Sequence, residues 1–75
     1  MLFLIEYDRG RGLIVTFRGF GESESESAEK ARLDMELDLH RRRIEHEVVL
    51  LEAENEKALR RTHRRYFEDL AQLAS

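Results

Sequence analysis

The sequence predicts an α+β domain of order ββαβα, a two-layer sandwich in which a three-stranded mixed sheet carries two helices on one face. Three features predict it: two β-rich runs around a glycine-containing break in the first twenty residues, a helix-forming stretch to Arg43, and a third apolar run followed by a second helical pattern. Seventy-five residues suffice for one domain with a modest core and leave no room for a second.

Residues 2–18 read as a hairpin. β-branched and aromatic residues flank Asp8-Arg9-Gly10-Arg11-Gly12, where glycine supplies the positive φ of a tight reversal. Glu22-Ser23-Glu24-Ser25-Glu26-Ser27 then reads as a helix start, with Ser23 and Glu26 at capping-box spacing and Ser25 or Ser27 as other caps. The helix is expected over residues 25–43. Its acids lie at the start and Arg41, Arg42 and Arg43 at the end, a polarity that complements the helix dipole. Residues 44–53 (IEHEVVLLEA) alternate and then become apolar, which predicts a strand buried at its far end. Asn55 is the expected cap of a second helix over residues 55–74. A right-handed crossover through the first helix places the third strand parallel to the second, with sheet orders 2-1-3 and 1-2-3 both open.

The strands are apolar on both faces. Phe3, Ile5 and Tyr7 oppose Leu2 and Leu4, Leu13, Val15 and Phe17 oppose Ile14 and Thr16, and Val48 and Leu50 oppose Val49 and Leu51. Two helices on one face leave the other uncovered. In the first helix Ala28, Ala31, Met35 and Leu39 line one side and Leu33 and Leu37 stand almost opposite. A thin core and two surplus apolar surfaces predict self-association, most simply as a symmetric dimer, or capture of another protein. The expected interface comprises Leu2, Leu4, Ile14, Leu33 and Leu37.

The second helix carries five cations in nine residues, Lys57, Arg60, Arg61, Arg64 and Arg65, on the side opposite Leu59, Tyr66, Leu70 and Leu73. Like charges four apart repel, so an anion is expected nearby. Phosphate or nucleic acid is one candidate. The chain's own acids are the better one, since residues 22–38 hold seven acids against two bases and the whole chain has a net charge of −3.

Little else suggests chemistry. There is no Cys, which removes disulfides, thiolate metal sites and thiol nucleophiles. His40, His46 and His63 have no ligand spacing, and His46 alternates with Glu45 and Glu47 on a strand, so those three cannot converge there. His63 borders the apolar side of the second helix and is the one candidate for a tuned imidazole. The Gly10-Arg11-Gly12 turn lacks any phosphate-loop context, and Ser23, Ser25 and Ser27 have no base beside them. No enzyme, cofactor or metal is expected. No apolar run exceeds five residues, which predicts no membrane span, and Glu6 and Asp8 interrupt what would be a signal peptide, so a cytoplasmic setting is expected.

The hairpin of residues 1–20 with an acidic-start helix after it resembles the N-terminal part of HicB-type antitoxins, small bacterial proteins that bind a partner toxin. The likeness spans about the first 40 residues. Phe17-Arg18-Gly19-Phe20-Gly21 stands where those proteins carry a proline-containing segment, so their function is not carried over. The segments IEHEVVLLEA and ALRRTHRRYF look like parts of a compact bacterial domain.

Overall fold

In the computed structural model of the chain, which describes residues 1–68, the first apolar run becomes β1 (Leu2–Asp8), the central strand. Its residues from Phe3 to Tyr7 are all buried, because the strand is covered on both faces. β2 (Leu13–Phe20) and β3 (Glu47–Glu52) flank it in the order β2-β1-β3. Both ladders are antiparallel. β3 does run in the direction of β2, as the crossover requires, but β1 lies between them, so the sheet is antiparallel and not mixed.

The hairpin closes through Gly12 in the left-handed region at φ 67°, with the Gly12 amide on the Asp8 carbonyl and the Arg11 amide on Asp8 Oδ1. Opposite Glu6 and Tyr7 the register slips by one residue and Val15 is left unpaired, a bulge in β2. After Gly21 a single 3-10 turn, Glu22–Glu24, leads into α1 (Ser25–Arg41). The expected serine caps do not form. Glu24 Oε1 instead accepts the Gly21 amide at 2.9 Å, so the carboxylate three residues on closes the turn. α1 ends two residues before the expected Arg43. Arg43 takes φ 58°, with its amide on His40 O and the Ile44 amide on Leu39 O, the paired bonds of a Schellman ending.

The layering departs from the two-layer expectation. α1 packs Ala28, Ala31 and Met35 over Leu2, Leu4, Phe20, Val48 and Leu50. α2 (Glu56–Thr62) and the 3-10 turn Arg64–Tyr66 pack Leu59, Tyr66 and Phe67 over Phe3, Ile5, Tyr7, Phe17, Val49 and Leu51. Alternating residues of β1 thus point into two separate cores, and each sheet face has its own helix. The face left bare in the sequence reading is covered by the chain itself. Aromatic rings carry much of the second core: Phe3 stacks on Phe17 at 5.6 Å, and Tyr7 meets Tyr66 edge-on at 5.2 Å.

Asn55 caps α2 as expected, its Oδ1 accepting the Ala58 amide at 2.8 Å. The helix then stops at Thr62, whose hydroxyl bonds back to the Ala58 carbonyl. Breaking there lets Tyr66 and Phe67 both reach the sheet and takes Arg60/Arg64 and Arg61/Arg65 out of helical register, where they would repel. Residues 69–75, which include Leu70 and Leu73 of the expected helix, lie outside the described residues.

Candidate functional site

Two regions concentrate polar chemistry. At one end of the sheet Asp8, Arg9, Gly10, Glu45, His46 and Glu47 border an open depression of about 800 Å³. His46 precedes β3 and lies outside it, so its ring is free to turn toward β1. Nδ1 sits 2.6 Å from Glu6 Oε2 and Nε2 3.6 Å from Asp8 Oδ2, while the Thr16 hydroxyl donates to Glu6 Oε1 at 2.7 Å. Among the described residues Glu6 is the one buried charged residue, and these partners satisfy its carboxylate. The sequence held a signal for this: Glu6 and Asp8 interrupt an otherwise apolar strand, and only a polar partner from elsewhere makes a buried Glu6 tolerable.

Beside it, Glu47 accepts bonds from Arg9 Nε at 2.8 Å, Arg65 Nη2 at 2.6 Å and the Tyr66 hydroxyl. The Tyr66 bond, aided by the two guanidiniums and opposed by burial, holds the Glu47 carboxyl well below the usual range, at about 2. Burial, with the Glu47 carboxylate adding to it, pushes the Tyr66 phenol up, and the bond to Glu47 raises Arg65. The network joins the hairpin turn, β3 and the segment after α2. It ties the two ends of the chain's second core together.

Among the described residues no hydroxyl bonds to His46, and the Thr16 hydroxyl is committed to Glu6. Among the described residues no group of three or more His, Cys, Asp and Glu is arranged to hold a metal, and no buried side-chain polar atom lacks a partner. His63 caps the end of α2, and its ring Nδ1 lies 2.9 Å from the hydroxyl of its neighbour Thr62.

The five cations do not form one face. Arg65 is held by Glu47 and lies over the Tyr66 ring at 4.3 Å; Arg60 lies over the Phe67 ring at 4.5 Å and faces Glu56; Arg64 faces Glu68. Lys57 and Arg61 form no ion pair within the described residues. Partial neutralisation by the chain's own acids therefore holds, but the acids are Glu47, Glu56 and Glu68. Those of residues 22–38 belong to the opposite sheet face, where Arg32 takes Glu29 and Glu36.

The expected interface divides. Leu4 is fully buried under α1, Leu2 is half-buried on the same face, and Ile14 packs in the other core. Leu33 and Leu37 are exposed, at 50% and 52%, on the back of α1. They stand one turn apart, flanked by Lys30 and Arg41 on the same surface. Between α1 and β2 runs an open groove of about 500 Å³ with Leu4, Phe20 and Met35 in its floor and Arg18, Lys30 and Arg42 on its rim.

No protein-family model, curated protein or solved structure matches the chain. The HicB-type likeness is therefore one of pattern in the first 40 residues. No helix of the described residues is long and apolar enough to cross a membrane.

Proposed function

We propose that this chain is a non-catalytic protein-interaction module that forms a homodimer, with the back of α1 in the contact. The observation that carries the proposal is the exposure of Leu33 and Leu37 on a helix whose opposite side is already buried. Burying such a side chain contributes roughly 1.5–3 kcal/mol, and two copies of the pair offer four. The fully partnered polar clusters support a structural role for His46, Glu6 and Glu47 in place of a catalytic one. Phosphate binding by Lys57, Arg60, Arg61, Arg64 and Arg65 has weaker support, since three of the five already face acids.

Light scattering tests the proposal. The expected mass is twice 8.9 kDa at micromolar concentration, falling to the monomer in Leu33→Glu and Leu37→Glu. A wild-type chain that stays monomeric up to about a millimolar, the weak end of specific association, overturns it.

A further inference from the structure

The sheet has two edges, and they are not alike. The Ala53 amide bonds the Met1 carbonyl, which fixes the phase of the β1–β3 ladder: residues 47, 49, 51 and 53 bond inward to β1. Val48, Leu50 and Glu52 therefore turn their backbone N–H and C=O groups outward, and no backbone bond from another described element meets them. Natural edge strands are guarded by proline, by charged side chains, lysine above all, or by a bulge. β2 has a bulge at Val15, with Arg18 and Gly19 beyond it. β3, EVVLLE, has no proline, lysine or bulge, its two charges stand at its ends, and Val48, Val49, Leu50 and Leu51 all remain partly exposed although a helix covers each face.

Resting on the self-association proposed above, we infer that β3 is the seam: a second copy of this chain adds its own β3 antiparallel to this one. The two sheets become one of six strands, β2-β1-β3-β3-β1-β2, with both α1 helices on one face. Three features select a second copy as the occupant.

The first is geometry. α1 lies over β1 and β3, so with strands about 4.8 Å apart the two helices come to roughly 10 Å from one another, close to ordinary helix–helix packing. The second is where the surplus leucines sit. Ser27, Asp34 and Asp38 line the groove toward β2, so at 100° per residue Leu33 and Leu37 stand together at the crest of α1, with Leu33 leaning to its β3 side. The third is charge. Antiparallel helices set the acidic start of one α1 (Glu22, Glu24, Glu26, Glu29) beside the basic end of the other (Arg41, Arg42, Arg43). A strand-shaped peptide of another protein satisfies the edge but has no reason to match the helix.

The decisive experiment is amide hydrogen exchange by NMR on the intact chain, at a concentration where light scattering has given the mass. The expected result is a dimer in which the Val48, Leu50 and Glu52 amides exchange as slowly as those of Phe3 and Ile5 in the central strand. Glu52→Pro, which removes an outward N–H and leaves the inward ladder intact, is expected to lower the dimer fraction, with circular dichroism unchanged. Val48→Lys is a second variant that guards the edge with a charge. A dimer with fast-exchanging Val48 and Leu50 amides, lost in Leu37→Glu but indifferent to Glu52→Pro, overturns the seam and leaves contact through α1 alone. A monomer overturns both readings. Slow exchange at these amides in a monomer overturns the seam too, because the chain then covers its own edge.

Discussion

Arg43 shows at the level of one residue how a local conflict is resolved. The Schellman ending requires a left-handed residue, where a Cβ crowds the following carbonyl and glycine is the usual occupant. Arg43→Gly is therefore expected to stabilise the fold by about 1 kcal/mol, raising the melting temperature by about 4–8 °C. A thermal melt that moves downward would mean that the arginine side chain contributes more than its backbone costs. Glu47 makes the opposite kind of prediction. Its carboxyl is held at about 2 in the fold against 4.5 unperturbed, so the stabilisation it gives is complete above about pH 4.5 and is lost as pH falls toward 2. Urea midpoints of wild type and Glu47→Gln should differ at pH 7 and converge by about pH 2; a difference independent of pH would locate the effect elsewhere. Leu4, expected from sequence to lie at an interface, is wholly buried, and Leu4→Glu should cost more than about 3 kcal/mol and unfold the chain, whatever its oligomeric state. Single residues were legible where their neighbours decide them. Asn55 as a cap is local; Glu6 with His46 joins positions 40 residues apart.

Elements were legible to the extent that their ends are set by short-range bonds. The hairpin follows from its glycine break, and α2 starts at Asn55 for the reason the sequence gives, so Asn55→Ala should cost about 1 kcal/mol in an equilibrium denaturation. The start of α1 was legible in place but not in mechanism, since three serines compete and Glu24 closes the turn instead. The end of α2 was not legible. Helical composition continues past Thr62, and what stops the helix is the pull of Tyr7 and Phe17 on Tyr66 and Phe67, contacts across about fifty residues of chain. His46 was misjudged for the related reason that β3 starts at Glu47, three residues later than expected, which frees the His46 side chain from strand alternation.

For the molecule as a whole, the two-sided apolar strands were a sound observation with the wrong cover assigned to them. One helix lies on each face, and the large apolar side chains left exposed among the described residues are Leu33 and Leu37 on the back of α1, Val15 at the β2 bulge and Met1, with Val48 to Leu51 of β3 partly exposed. Because Leu33 and Leu37 are exposed, Leu33→Glu and Leu37→Glu should leave the monomer's stability within about 0.5 kcal/mol of wild type while abolishing the dimer. A comparison of melting at a concentration below the dissociation constant isolates the first effect from the second.

The sequence by itself determined the class, the order ββαβα, the hairpin and the Asn55 cap, because periodicity and capping are properties of a few consecutive residues. Only the tertiary structure decided that β1 is central, that both ladders are antiparallel, that the helices lie on opposite faces and that Glu6 meets His46. The reason is that a strand apolar on both faces fits a helix on either side equally well. The choice is made by contacts between distant segments, through the two cores and the Glu47 network, and no local pattern encodes which distant segment arrives.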